Sequence, residues 1–207
     1  MRLKSGLKYK GNDRFPEADA ELVEATRSGN GAAFGKLVEK YQDKLLYLAY
    51  DLLGDFDEAR DVAQEAFIRA FERIHQFEDR AQFSTWIYRI TVNLAMDQHR
   101  RRKRRPVDSL EDHIHEIDRQ NAEEQAAETL KPEDELHTDL RRRRLNEALQ
   151  KLSDHQRTAV VLKYFHQKSS REISQVIGCS ENTVRIHLFR GLRNLKRHLE
   201  KVKNILE

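Results

Sequence analysis

The sequence of 207 residues is poor in the residues that interrupt helices. It contains three prolines and eight glycines, and no glycine lies between Gly54 and Gly178. Because these two residue types are the least compatible with a helix interior, their scarcity favours a helical protein. No apolar run approaches the length needed to cross a bilayer, and the polar start MRLKSGLKYK lacks the core of a signal peptide. We therefore expect a cytoplasmic chain that does not insert into a membrane.

Residue patterns that would support catalysis or metal binding are also missing. Cys179 is the one cysteine of the sequence, which excludes an internal disulfide and fits a reducing compartment. The nine histidines are scattered, and His113 and His115 form no recognisable ligand set with Cys179. We find no phosphate-binding glycine loop and no activated-nucleophile pattern. The sequence thus predicts neither an enzyme nor a bound metal or cofactor.

Charge is strongly segregated along the chain. Residues 1–105 carry 20 Lys and Arg against 17 Asp and Glu, for a net charge of +3. Residues 106–140 carry 2 against 12, or −10, and residues 141–207 carry 16 against 6, or +10. Such asymmetry indicates three units rather than one.

The apolar pattern divides the chain in a similar way. Aliphatic and aromatic residues recur at helical spacing in two stretches, and strand-like alternation is absent. We therefore predict an all-α protein in which two small helical domains are joined by an acidic flexible linker. The predicted segments are a flexible basic tail at 1–18, a helical domain at 19–105, the linker at 106–139 and a second helical domain at 140–207.

Four helices are expected in the first domain. The glycines at 29 and 31 separate the first two, and the third runs from about Asp57 to Ile74. Residues 77–83 form a loop, and Ser84 is a plausible N-cap for the fourth helix. That helix continues into six consecutive cations at 100–105.

The third helix has two different faces when projected at 100° per residue. One side is apolar and faces the core. The other side is acidic around an exposed isoleucine, a pattern suited to a partner that needs an apolar anchor and a charged rim. A solvated acidic face with one stray aliphatic residue is the alternative. The acidic side contains Asp57, Asp61, Gln64, Glu65, Ile68 and Glu72.

The fourth helix points to nucleic acid. A run of six cations attracts a polyanion, because each phosphate contact releases counterions. Asn93 carries the donors and the acceptor needed to read a base edge, and Phe77 and Trp86 offer faces on which an unstacked base can lie. Alternatively, Trp86 belongs to the core and the cations serve solubility.

Residues 169–185 have the pattern of a helix-turn-helix. Gly178 supplies the turn, and Ser180 can cap the second helix through its hydroxyl. Polar side chains then follow on a helix suited to a DNA major groove, namely Asn182, Arg185, His187 and Arg190. An ordinary helical hairpin in a core is the alternative.

Taken in order, three stretches resemble the extracytoplasmic-function group of bacterial RNA polymerase sigma factors. They are residues 57–67, residues 83–90 with Asn93, and residues 152–195, and the resemblance covers about 19–105 and 140–207. It implies a subunit that binds core RNA polymerase, directs it to two-part promoters and helps to melt the minus-10 region. A freestanding helix-turn-helix regulator that binds duplex DNA without polymerase is the first rival. An enzyme with a DNA-binding appendage is the second.

The resemblance also implies roles for individual residues. The surface that docks on the clamp coiled coil of the polymerase's largest subunit would contain Asp57, Asp61, Gln64, Glu65 and Ile68. The element that reads the opened minus-10 strand would contain Phe77, Trp86, Arg89, Asn93, Arg100 and Arg101, with Asn93 at a flipped base. The reader of the minus-35 duplex would contain Ser180, Asn182, Thr183, Arg185, Ile186, His187, Phe189 and Arg190.

Two further implications concern the linker and a regulator. The linker would lie in the RNA exit path, where its negative charge would mimic RNA. An anti-sigma factor that covers both domains is expected as a partner. His187 stands where the family often has an arginine, which puts one DNA contact in question.

Overall fold

The protein is all-helical throughout the residues that its computed structural model describes, which are 17–77, 82–104 and 143–203. The first four helices are α1 Glu17–Arg27, α2 Gly31–Leu53, α3 Phe56–Glu72 and α4 Phe83–Arg104, with a short 3-10 helix at Ile74–Gln76. The others are α5 at residues 143–150, α6 Asp154–Tyr164, α7 Ser170–Ile177 and α8 Glu181–Lys203. The prediction of an all-α chain is confirmed over these ranges, none of which contains a helix long and apolar enough to span a membrane. Most of the predicted tail and all of the predicted linker lie outside them.

Local capping explains where α2 and α3 begin. The backbone N–H of Ala33 donates to the Asn30 side chain over 3.3 Å, and that of Glu58 donates to the Asp55 side chain over 2.8 Å. Each bond satisfies one of the N–H groups that the first turn of a helix leaves without an internal partner. Between the two helices Gly54 takes φ = 76°, a left-handed conformation that glycine adopts without a Cβ clash.

Two predicted helix boundaries need correction. Ser84 is not the N-cap of α4, because the helix already begins at Phe83. The carbonyl of Gln82 accepts the first bond of the helix from the Trp86 N–H over 3.1 Å, which puts the cap at Gln82. The third helix also ends two residues early, at Glu72, and the chain tightens into the 3-10 helix.

Helix α2 is the centre of the first bundle. Its leucines Leu37, Leu45 and Leu48 are completely buried, and α1, α3 and α4 surround them. The side of α3 that meets α2 is rich in alanine, and small side chains allow the two backbones to approach closely. The fully buried alanines of α3 are Ala59, Ala66 and Ala70.

The second bundle places the helix-turn-helix on α6. A capping box begins α7, in which Ser169 and Glu172 each bond to the other's backbone N–H. Gly178 ends α7 with φ = 78°, as the turn prediction requires. Helix α8 crosses α6 closely at Gly191, since a Cβ there would lie 2.8 Å from Cγ2 of Val160.

The two bundles pack directly on each other. Helix α7 lies against α4, and α6 lies against α2. Gln150 donates through Nε2 to the Leu52 carbonyl over 3.1 Å, and Nε2 of His166 lies 3.2 Å from Oδ2 of Asp51. The buried side chains of the two bundles form one continuous cluster. The structure is therefore a closed arrangement of the two units.

Candidate polymerase and nucleic-acid interfaces

The outer face of α3 presents the acidic residues that the helical wheel places there. Asp57, Asp61 and Gln64 are exposed, and Glu65 is half-buried. Ile68 is 46% exposed although α3 packs firmly through its opposite side. An exposed isoleucine within an acidic surface has the composition expected of a protein-docking site.

Phe71 extends this face and was missed by sequence reasoning. Its ring is 50% exposed and lies one turn beyond Ile68. It leans on Phe34 of α2, with ring centroids 5.0 Å apart, so it is held in place while remaining accessible. The spacing of three residues places Ile68 and Phe71 on the same side of α3, and this pattern in the sequence could have indicated Phe71.

Ion pairs along the helix order the acidic face. Arg60 reaches Asp57 over 2.6 Å, and Arg69 reaches Glu65 over 2.7 Å. These exposed pairs add little stability in water, but they fix the direction of the carboxylates. The face therefore carries both signs, with an acidic excess.

A cleft of about 240 Å³ separates the outer face of α3 from α4. Asp61 and Glu65 line it from one side, and Asp97 and Arg101 line it from the other. Gln98 bridges the helices by donating to Glu58 over 3.3 Å. The structure thus places the predicted docking residues directly beside part of the predicted DNA-binding run.

The polar stripe of α4 is open to solvent. Arg89, Asn93 and Arg100 are exposed, and so are all the described residues of the cationic run, 100–104. Asn93 and Arg100 are seven residues apart and therefore share one side of the helix. An ion pair of 3.1 Å between Arg100 and Asp97 offsets one of the cations.

Phe77 is placed differently from a base-stacking residue. It is 6% exposed and packs against Phe83 and Trp86, with ring centroids 6.0 and 5.1 Å apart. Trp86 is half-buried in the same cluster. Both rings bury apolar surface in this cluster, so Phe77 is not exposed on the polar stripe.

Helix α8 presents a mixed basic and apolar face. Arg185, Arg190 and Asn182 are exposed, Ile186 is 49% exposed and Phe189 is 69% exposed. Opposite them Val184 is completely buried and anchors the helix. Large apolar groups left open among arginines fit a surface that is covered when the protein binds its ligand.

Ser180 and Thr183 begin this helix as a cap. The Thr183 N–H donates to the Ser180 hydroxyl over 3.1 Å, which confirms the predicted capping role. The two side-chain hydroxyls lie 2.9 Å apart and share a hydrogen bond. Both lie at the start of α8, a helix N-terminus of the kind that favours an anion.

His187 is paired with a second histidine. Its ring lies 5.4 Å from that of His155 on α6, measured between centroids. Partial burial lowers the pKa of His187 below its ordinary value, and the nearby His155 and Arg190 lower it further. His187 is therefore neutral near pH 7, where an arginine would be a cation.

The described residues show neither a cluster of metal ligands nor an activated cysteine. No group of three or more potential metal ligands occurs among them. Cys179 is partly buried, and burial raises the pKa of its thiol, which is opposite to the change that activates a cysteine.

Two protein families match the chain, in the same order as the two bundles. Sigma-70 region 2 matches residues 37–105, and Sigma-70, region 4 matches residues 142–195. The chain is 35% identical to the ECF RNA polymerase sigma factor SigW of Bacillus subtilis over 178 residues, which is 86% of this chain and 94% of SigW. It is 33% identical to the ECF RNA polymerase sigma-E factor of Escherichia coli K12, over 84% of this chain and 90% of that protein.

Solved structures show the same fold. CnrH, determined in complex with the cytosolic domain of CnrY, aligns with a TM-score of 0.65 over 89% of this chain and 99% of its own. RpoE of Bartonella quintana, determined with the anti-sigma factor NepR, aligns with a TM-score of 0.53 over 81% of this chain and 96% of its own. Their identities to this chain are 24% and 18%.

Proposed function

Because the chain belongs to the extracytoplasmic-function sigma factors, which direct RNA polymerase to promoters, we propose that its three exposed faces divide that work. The outer face of α3 binds the core polymerase, the polar stripe of α4 takes the opened minus-10 strand, and α8 reads the minus-35 duplex. The observation that carries this proposal is that each face is accessible while the opposite side of its helix is buried.

The α3 face fits the clamp coiled coil of the largest polymerase subunit as its partner. Asp61 and Glu65 supply negative charge, and Ile68 and Phe71 supply apolar surface that is half open to water. Burying such surface drives association, while the carboxylates set its register against a basic partner. Gln64 adds a neutral donor and acceptor between them.

The α4 stripe fits a single strand with an extracted base. Asn93 offers an amide to the base edge, while Arg89, Arg100 and Arg101 offer cations to the backbone. Extracting a base costs a few kcal/mol, which these contacts must offset. Phe77 and Trp86 support the stripe from below, and the edge of Trp86 provides its aromatic contact.

Helix α8 fits the major groove of the upstream element. Arg185 and Arg190 are exposed and, in this proposal, donate to base or phosphate oxygens. The exposed Ile186 and Phe189 contact thymine methyl groups or sugars. Asn182, Ser180 and Thr183 approach the backbone at the start of the helix. His187, being neutral, serves as a hydrogen-bonding group there rather than as a phosphate-binding cation.

The wider organisation follows from these roles. We assign minus-10 recognition to residues 19–105 and minus-35 recognition to 140–207, with 1–18 as a tail and 106–139 as the linker in the RNA exit path. Because promoters and polymerase are its partners, the chain works in the cytoplasm. A protein inhibitor that covers both units is a further expected partner; RpoE of Bartonella quintana, similar in fold, was determined with one.

A comparison of DNA binding with and without polymerase tests the proposal. The purified chain is mixed with duplex genomic fragments, either alone or after assembly with core polymerase that lacks any sigma factor. We expect specific retention of fragments only in the assembled complex. Equally specific binding by the chain alone, with no association with core polymerase, would identify a freestanding helix-turn-helix regulator instead.

A further inference from the structure

Arg27 is the last residue of α1, and its side chain binds the backbone at Ile74 and Phe77. Phe77 belongs to an aromatic cluster with Phe83 and Trp86. Nε of Arg27 donates to the Ile74 carbonyl over 3.3 Å, and a terminal guanidinium nitrogen donates to the Phe77 carbonyl. The Ile74 carbonyl, at the start of the 3-10 helix, also accepts the helical bond from the Phe77 N–H, and Phe77 is the C-cap of that helix. The contacts cross 47 and 50 residues of sequence, so no local pattern indicates them.

The guanidinium also lies against the Phe77 ring. Its central carbon is 5.7 Å from the ring centroid, within the range of a cation–π contact. Glu24 orients the same group from one turn earlier, 3.3 Å from a terminal guanidinium nitrogen. The Arg27 side chain is 17% exposed, so most of it lies against the protein. Arg27 therefore fixes both the backbone and the ring of Phe77.

Phe77 in turn supports the surface that carries Asn93. Its ring is 5.1 Å from that of Trp86, and Trp86 precedes Asn93 by seven residues, or two turns, on the same side of α4. A shift of Phe77 would let Trp86 tilt and would change the shape of the stripe at that end. Two side-chain contacts connect Arg27 to the stripe, one between Arg27 and Phe77 and one between Phe77 and Trp86.

We propose that Arg27 is a positioning residue for the minus-10 stripe, acting through Phe77 and Trp86 rather than by touching DNA. This inference rests on the proposed function of the stripe. A planar guanidinium can donate to two carbonyls in fixed directions while its face lies on a ring, whereas the ammonium of lysine is a compact point charge on a flexible stem. Arg27 thus acts by holding Phe77 in position, and its positive charge alone does not provide this.

Binding of one oligonucleotide separates this role from a purely structural one. The probe is the nontemplate strand of the minus-10 region from a start site mapped with the wild-type holoenzyme. We expect Arg27→Met to weaken holoenzyme binding to it about tenfold or more, since two partly buried charge-assisted bonds are lost. Affinity for core polymerase should stay unchanged, which general destabilisation would not allow. Arg73→Met removes an exposed cation beside the same 3-10 helix and should leave both affinities unchanged.

The one tryptophan of the chain gives a second readout. Trp86 emission should shift to longer wavelength in Arg27→Met and in Arg27→Lys, and stay unchanged in Arg73→Met. Wild-type oligonucleotide affinity and unaltered emission in Arg27→Lys would show that charge suffices, and would overturn the inference. Equal oligonucleotide binding by wild type and Arg27→Met would also overturn it. A wild-type holoenzyme that fails to bind the oligonucleotide would instead overturn the minus-10 role of the stripe.

Discussion

His99 of α4 and Arg157 of α6 meet across the boundary between the two bundles, with Nε2 of the imidazole 3.1 Å from a guanidinium nitrogen. Arginine has only donors, so Nε2 of His99 accepts and the ring proton resides on Nδ1. Nδ1 lies 3.0 Å from Oδ1 of Asp154, and that oxygen accepts a hydrogen bond from Arg157 over 2.9 Å. His99 is 6% exposed and Arg157 is 1% exposed. The contact between the two bundles therefore contains His99 in its neutral form.

This environment predicts an acid-sensitive contact. The pKa of His99 is lowered from 6.5 to about 4, mainly by burial and next by the charge of Arg157. Asp154 opposes the change, and Lys103 and Arg102 contribute to the lowering. The unfolded chain takes up a proton near pH 6.5, whereas the packed form resists until about pH 4. The free energy of unfolding should thus fall as the pH drops through this window, by at most about 3 kcal/mol.

Urea denaturation of wild type and His99→Gln between pH 7 and pH 4.5 measures this effect. The glutamine keeps an acceptor for Arg157 but does not titrate. The stability of wild type relative to His99→Gln should therefore decrease as the pH falls. His75→Gln, at an exposed histidine, is the control. A constant difference between wild type and His99→Gln would contradict the assignment.

With minus-10 recognition assigned to α4 and minus-35 recognition to α8, as proposed, we predict that the closed arrangement opens before both elements are bound. Minus-35 and minus-10 elements lie about 25 base pairs apart, which is roughly 85 Å of B-form DNA. Asn93 and Arg190 are within roughly 40 Å of each other when traced through His99, Arg157 and Gly191, by standard helix and chain dimensions. The two faces cannot reach their sites while α4 and α6 remain in contact.

A reducible cross-link tests this opening. Asp51 and His166 meet over 3.2 Å across the boundary, and cysteines there can be joined by a short bis-methanethiosulfonate in a Cys179→Ser background. The cross-linked chain should not support initiation, and dithiothreitol should restore it. The same reagent at Lys196→Cys and Glu200→Cys, within α8, should have no effect. Full activity of the cross-linked chain would rule out the need for opening.

Charge reversal on α3 should abolish polymerase binding. Asp61→Arg with Glu65→Arg places two cations on the face that approaches a basic partner, and like charges at an interface cost several kcal/mol. Helicity should not change, because both positions point away from the core. The matched control is Glu21→Arg with Glu39→Arg, an equal charge change at exposed positions on α1 and α2. Co-purification with core polymerase is the measurement, and retention of the double variant would exclude this docking face.

Arg190→Ala should weaken upstream promoter recognition by roughly 1–3 kcal/mol, if the guanidinium makes a bidentate contact with a base. Binding of the holoenzyme to promoters with intact and scrambled minus-35 elements measures the loss. The exposed Arg193, three residues further along α8, is the control and should lose less. An equal loss on both sequences would reassign Arg190 to a phosphate.

Much of the architecture could be predicted because it depends on local chemistry. Gly178 at a left-handed turn and Ser180 at a cap follow from the conformations these residues favour. The buried and exposed sides of α3 follow from helical periodicity. The boundary at Ser84 could not be predicted in this way, because Phe83 packs against Tyr41 and Trp86 and the helix begins two residues earlier than a serine cap at 84 would allow.

Features that depend on pairs distant in sequence could not be predicted. The burial of Phe77 is one of them, since Arg27 and Trp86 contact its ring from two other helices, whereas its expected place beside a base stays a prediction. His99 showed no feature in sequence that would pair it with Arg157, 58 residues away. A histidine or an arginine alone indicates nothing about its partner. Only the folded chain brings such groups together.

Run-off transcription with sigma-free core polymerase on fragmented genomic DNA measures whether this chain directs initiation to two-part promoters. With the chain added, we predict start sites that share an upstream and a downstream element at a constant spacing. These sites should disappear with Asp61→Arg and Glu65→Arg and persist with the matched control pair. Initiation no greater than that of polymerase alone, at every site, would contradict the account.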